Sequence, residues 1–410
     1  MVSQQKVDSM RDVLTFILAG GKGERLDPLT RDRAKPAVPF GAIYRIIDFA
    51  LSNCVNSGLR RIFILTQYKS FSLQRHILEG WHIYSNQLGE FIDVVPAQQR
   101  ISTDWYRGTA DAIYQNLNMV GDYNPKVVLV LAGDHVYKMD YRQLIDYHTQ
   151  KGADMTVACI TMPKNDSIHF GVVEVNKQNM VVGFQEKPEK PKTIPGSPDQ
   201  IFGSMGIYLF NTDMLKKELA ADAAKLDSDH DFGKNIIPQM IAKKLKVYAY
   251  DFARENETSS YWRDIGTRDS YYQANMDLCG IKPKFDLYDT SWPLRTHYHH
   301  YSPLRVYTTG KTPGSIVDSL VSAGCVLESG QIEHSVVSNN VVIKDGVLIK
   351  NSVIMDSVTI GKGAQIQGAI IDKDVDIPAG TKIGFDAALD LQRFVLTTSG
   401  IVIVAKKTSL

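Results

Sequence analysis

Between residues 320 and 383 an aliphatic side chain returns at every sixth position, and few backbones accept that period. Leu320, Val326 and Ile332 form one run. Val336, Val342, Leu348, Ile354, Ile360 and Ile366 form a second, and Ile371, Ile377 and Ile383 a third. An amphipathic helix would need returns of about 3.6 residues and a half-buried strand of about two. Six-residue steps, with Gly, Asn, Asp or Ser between the aliphatic corners, describe a parallel β-helix whose rungs bury their corners on one another. The two breaks in phase, between Ile332 and Val336 and between Ile366 and Ile371, predict loops. The tail beyond predicts a helix at 387–394 and a strand at 401–405, folded back on the rod.

The N-terminal part has a different grammar. Residues 13–18, VLTFIL, are apolar without alternation and predict a buried parallel strand. Gly20, Gly21 and Gly23 follow at once, interleaved with Lys22, Arg25, Arg31, Arg33 and Lys35. Backbone N–H groups without side chains can approach a polyanion closely while these cations neutralise it, which is chemistry for holding a phosphate chain. The stretch is not a P-loop, for it lacks the closing Gly-Lys-Ser/Thr, and Leu26 stands where a dinucleotide fingerprint needs its third Gly.

Further apolar runs at 61–66 and 127–132 alternate with helical patterns at 46–57, 71–79 and 112–119. That order predicts a doubly wound parallel sheet with its ligand crevice at the C-terminal strand ends. Gly108 and Thr109 stand at one predicted helix start, where free N–H groups can meet a base or a phosphate. Asp134 comes directly off the 127–132 strand. A carboxylate there suits Mg²⁺, which takes one or two protein carboxylates and leaves its other positions to water and phosphate. A helix cap or turn is the other reading of Asp134, and His135 reads as structural.

The charge needed for anion binding is local, because 46 basic residues face 45 acidic ones. A net charge of +1 gives no field to recruit nucleic acid or an anionic membrane. Cys54, Cys159, Cys279 and Cys325 are scattered without a CxxC pair, as expected of reduced thiols in a cytoplasmic protein. No apolar run approaches the roughly 20 residues that cross a bilayer.

LAGGKGERLDPLT and RAKPAVPFG resemble the signature loop of sugar-nucleotide pyrophosphorylases, and YRIIDFALSNCVNSG (Tyr44 to Gly58) resembles the ADP-glucose pyrophosphorylase branch. WYRGTAD (Trp105 to Asp111), Glu186-Lys187-Pro188, HDFGKNIIP (His230 to Pro238) and YWRDIGT (Tyr261 to Thr267) extend the likeness over nearly the whole chain. The resemblance implies a Rossmann-like, doubly wound nucleotidyltransferase domain at 1–279, a linker at 280–303, and a left-handed parallel β-helix with a C-terminal tail at 304–410. It implies adenylyl transfer from ATP to α-D-glucose 1-phosphate, yielding ADP-glucose for bacterial glycogen.

The resemblance also distributes roles. Arg25, Lys35 and Asp134 become catalytic, with Asp134 and Asp264 on Mg²⁺. Gly20, Gly21, Gly23, Gln67, Gly108 and Thr109 face the nucleotide, although Gln67 reads equally well as a surface glutamine. Tyr106, Gly171, Glu186, Lys187 and Ser204 face glucose 1-phosphate, although Tyr106 reads equally well as a packed aromatic. Arg33 and Arg45 match a site for phosphorylated effectors. Asp32, Pro39, Asp122 and Gln367 depart from that site's basic pattern, so a weak response to fructose 1,6-bisphosphate and AMP is expected. A homotetramer is also implied. The rival readings are a pyrophosphorylase making UDP- or dTDP-glucose, an acyltransferase built on the rod, and a non-catalytic regulatory subunit of a mixed oligomer.

Overall fold

The computed structural model of the chain describes residues 10–98, 105–255, 261–310 and 313–410. Its N-terminal part is built on one sheet. Strand β1 (Val13–Ala19) runs parallel to β2 (Arg61–Thr66) and to β4 (Val127–Ala132), and β2 runs parallel to β3 (Phe91–Pro96). Strands β1, β2 and β4 are buried on both faces, which is why they read as apolar runs, whereas β3 lies at the sheet edge with Asp93 and Pro96 exposed. Beyond β4 the sheet departs from the parallel expectation. The long strand β9 (Gln200–Asn211) pairs antiparallel with β4 and with β6 (Met155–Pro163). Through β9, the antiparallel pair β7 (Gly171–Val175) and β8 (Val181–Glu186) joins the same sheet. The sheet is therefore mixed, with β10 (Val247–Asp251) parallel to β6 at its far side.

The helix expected at 112–119 begins earlier and breaks. Helix α1 (Thr109–Tyr114) is followed by α2 (Leu117–Tyr123). At the break, the Asn116 amide donates to the Ala112 carbonyl and to the Tyr106 hydroxyl, so a side chain competes with the helical backbone.

The rod is a parallel β-helix with three sheets, but its coil is shorter than three hexapeptides. Equivalent residues on successive coils are 16 apart at the start of the rod, as for Leu320 and Val336, and 17 apart from there on, as for Val336 and Val353. The inward residues Ile349, Ile354, Ile360, Ile366 and Ile371 show steps of five, six, six and five. One corner takes a short step on every coil, turned by a residue of positive φ: His334 (45°), Asn351 (44°) and Gly368 (57°); in the first coil the step from Leu327 to Ile332, turned by Ser329 (49°), is short as well. The expected loops are thus tight corners, and one recurs on every coil.

Five of the twelve periodic positions lie outside the rod interior. Leu320, Val326, Val336, Val342 and Leu348 each precede or replace the residue that points in, which for the last four is Leu327, Val337, Ile343 and Ile349. Two of the five have another partner. Leu320 and Val336, with Val353, Ile370 and Ile403, form an outer apolar face that packs on Leu26, Phe40 and Tyr271 of the sheet-bearing part.

The same seam carries a buried ion pair, Arg33 Nη2 to Asp372 Oδ2 at 2.5 Å. The tail forms α4 (Ala387–Arg393), after α3 (Arg268–Met276), and then a strand, Val402–Val404, parallel to Ala369–Ile371. Among the described residues no helix is long and apolar enough to cross a membrane.

Candidate active site

Asp134 leaves the end of β4 and leads into the short strand β5 (His135–Tyr137). That strand pairs antiparallel with another three-residue strand, Trp262–Asp264, and sets His135 opposite Asp264. The Ile265 N–H donates to the Asp134 carbonyl at 3.4 Å and closes the ribbon. Two carboxylates remote in the chain are thereby brought together. Lys35 completes the group from a tight turn stiffened by Pro36. Its Nζ lies 2.6 Å from Asp134 Oδ2 and 3.2 Å from Asp264 Oδ1.

Electrostatics follow from this geometry. Burial works against the Lys35 ammonium, but the Asp134 and Asp264 carboxylates outweigh it and hold its pKa above the ordinary lysine value. Burial likewise works against ionised Asp134, and Lys35 and His135 reverse the sign, holding that carboxyl below the usual range. His135, read as structural, has Nε2 3.4 Å from Asp134 Oδ1, and its ring packs edge-on against Trp262 at 4.9 Å. Donor atoms of Asp134, His135 and Asp264 all lie within 4.8 Å of one another, a set whose two carboxylates fit a divalent cation.

Two clefts meet at this cluster. The first, of about 440 Å³, is lined by Gly20, Gly21, Gln67, Tyr106, Gly108, Thr109 and Asp134. The second, of about 460 Å³, is lined by Arg25, Lys187, Trp262, Asp264 and Gly266 among others. Asp134 therefore faces one cleft and Asp264 the other, with the Lys35 ammonium between them.

Several expected roles change. Tyr106 stands in the cleft of the glycine loop, apart from Lys187, and its hydroxyl is tied to Asn116. Gly23 does not line a cleft. It supplies a left-handed turn (φ 67°) on which Thr30 and Lys35 pack, since a Cβ there would lie 3.2 Å from Lys35 Cβ. Of the five cations of the loop, Lys22 lies near Glu24, Arg31 holds Asp27, Arg33 holds Asp372 and Lys35 holds the two aspartates. Of these five, Arg25 alone has no ion-pair partner among the described residues.

Gly171, Glu186 and Ser204 lie together on β7, β8 and β9, with Gly171 opposite Glu186, but outside both cleft linings. Arg33 is buried against the rod and cannot face a free effector as expected. Arg45 is also engaged, donating to the Ser72 carbonyl and hydroxyl.

Comparison with known proteins decides among the phosphate-handling families. A family model described as nucleotidyl transferase matches residues 14–280, and one described as a GlmU-like C-terminal hexapeptide matches residues 303–404. A glucose-1-phosphate adenylyltransferase of Koribacter versatilis is 48% identical over 98% of this chain and 97% of its own length. One of Vibrio parahaemolyticus is 49% identical over 96% of this chain and 98% of its own. The chain belongs to the glucose-1-phosphate adenylyltransferase family.

For this family member the structure adds residues that motif reading passed over. Trp262 lines the second cleft, and its ring packs against His135 beside the carboxylates and against Phe170. It sits two places before Asp264 in the YWRDIGT segment, and nothing in the sequence besides that proximity marked it.

The HDFG segment is a clamp on the nucleotide-side loop. Ala110 N–H donates to the His230 carbonyl (2.8 Å), Thr109 Oγ1 donates to Asp231 Oδ2 (2.8 Å), and the Phe232 N–H donates to Thr109 Oγ1 (3.1 Å). Gly108 is required by closeness. A Cβ there would stand 2.3 Å from the carbonyl oxygens of Asp229 and His230, which are backbone atoms that cannot swing aside. Gly108→Ala should therefore raise the KM for nucleotide about tenfold or more and lower stability by about 1–3 kcal/mol. Steady-state kinetics and thermal melting check both; unchanged values would show that the clamp yields freely.

Proposed function

We propose that this protein transfers the adenylyl group of ATP to α-D-glucose 1-phosphate, releasing pyrophosphate and ADP-glucose. The observation that carries this reading is the meeting of Asp134, Asp264 and Lys35 where the two clefts join. A nucleotide in the glycine-lined cleft and a sugar phosphate beside Lys187 would bring their phosphates together there. A phosphate oxygen of the sugar phosphate attacks the α-phosphorus in line, a new P–O bond forms, and the α–β P–O bond breaks with its electron pair leaving on pyrophosphate. The nucleophile is already ionised, so no general base is needed.

Both reactants are anions, and the work of the chain is to position them and offset their charge. The exposed Arg25 guanidinium is available to the phosphates, and Lys187 supplies a compact cation for the sugar phosphate. Gln67 lines the nucleotide cleft at the tip of β2, in reach of a base. Asp134 and Asp264 would hold Mg²⁺, which when bound neutralises phosphate oxygens and lowers the barrier to their approach.

Glycogen supply, a cytoplasmic setting and a homotetramer belong to the same reading and rest on the family's pattern. A weak effector response belongs to it as well, since Arg33 is committed to Asp372. The test is a pyrophosphate-release assay on the purified chain with glucose 1-phosphate and each of ATP, UTP, dTTP and GTP. Turnover with ATP should exceed the others by at least about tenfold. Preference for UTP or dTTP would move the chain to a different pyrophosphorylase activity. No turnover alone, together with stimulation of a partner chain, would make it a regulatory subunit.

A further inference from the structure

Lys35 does not point into either cleft as a ready phosphate ligand. Its ammonium is engaged with Asp134 and Asp264 in the position a cation would take between them. Two carboxylates whose oxygens approach this closely repel one another, and a partly buried site gives little solvent to screen them. Some positive charge must hold them together in the free enzyme, and Lys35, only 11% exposed in its side chain, supplies it. The lysine is built into that place. It lies under Gly23, follows Ala34 out of the Arg33 anchor to the rod, and precedes Pro36.

From this geometry we infer that Lys35 is a placeholder for the divalent cation, holding the Asp134–Asp264 pair assembled until the metal displaces it and frees its ammonium for the substrate's phosphates. An ammonium lodged between the two carboxylates repels a divalent cation brought to the same pair, so metal entry is opposed for as long as that contact lasts. The free enzyme then binds metal weakly, and nucleotide phosphates favour entry by offering the displaced ammonium new partners. The inference deepens the proposed function and rests on its assignment of the metal to Asp134 and Asp264.

The test uses Mn²⁺ as the probe in the absence of nucleotide, with free and bound Mn²⁺ counted by electron paramagnetic resonance. Lys35→Gln removes the competing charge and should bind Mn²⁺ at least about tenfold more tightly than the wild-type chain. Lys35→Arg keeps the charge and should bind no more tightly than wild type. Thermal melting gives a second readout: Lys35→Gln should melt lower than wild type without metal and gain more from Mn²⁺. Lys35→Met serves the same purpose if the Gln variant does not fold.

Adding Asp134→Asn to Lys35→Gln should abolish the gain. If wild type and Lys35→Gln bind Mn²⁺ equally, and Asp134→Asn weakens both, the placeholder role is overturned while the metal assignment stands. If Asp134→Asn leaves Mn²⁺ binding to Lys35→Gln unchanged, both are overturned.

Discussion

Replacing Asp134 by Asn should lower kcat by about a thousandfold while changing the KM for either substrate far less. The magnitude comes from the several kcal/mol that charge stabilisation at a phosphoryl centre typically contributes, each 1.4 kcal/mol being about tenfold in rate. Asn keeps the shape and one oxygen, so the fold and the clefts should survive and the loss should fall on the chemical step. The dependence on Mg²⁺ should shift to higher concentrations in parallel. Asp264→Asn should act in the same direction, because the ribbon brings its carboxylate beside that of Asp134 and both engage Lys35. Turnover of Asp134→Asn within tenfold of wild type would sink the assignment.

Replacing Arg33 by Ala should destabilise the protein by about 3–5 kcal/mol, since it leaves the Asp372 carboxylate buried and unpaired. Asp372 is fully buried and Arg33 nearly so, and the pair joins the catalytic loop to the rod. A double replacement, Arg33→Met with Asp372→Leu, should recover most of the loss, because an apolar pair of similar size needs no compensating charge. Calorimetry on the three variants measures this. A loss below about 1 kcal/mol in Arg33→Ala would mean that water reaches Asp372 once the arginine is gone. The single variant should also lose activity beyond its stability effect, for Arg33 lies two residues before Lys35 on the same turn.

Sequence made three strands of the parallel half plain, because burial on both faces leaves apolar runs such as Val127–Ala132; the fourth, Phe91–Pro96, read as part of an 81–99 connection, because an edge strand with Asp93 exposed shows no such run. Asp134 was legible for the same reason, standing at the tip of such a run. The partnership with Asp264 was not readable from spacing. The strands that create it are three residues long, too short to show a period, and only likeness to a family suggested it. The loop cations misled because proximity in sequence to the glycines said nothing about their partners, and Asp372 lies 339 positions away. In the rod the coil was evident but its register was not. Val336-Val337, Val342-Ile343 and Leu348-Ile349 are aliphatic doublets, so a step of six fits two registers and only packing selects the inner one.

The 17-residue coil bears on how the rod can change length. A residue lost within one of the short strands would shift its inward side chains off their stack, whereas a residue lost at a corner is absorbed: Leu320 stacks on Val336 across 16 residues and Val336 on Val353 across 17, with the walls aligned throughout. Natural variation in this half of the chain should therefore fall at the corners or come in whole turns. Val402–Val404 extends one wall, pairs with Val395–Leu396 and turns Ile403 onto the sheet-bearing part, so its place on the rod is fixed from three sides.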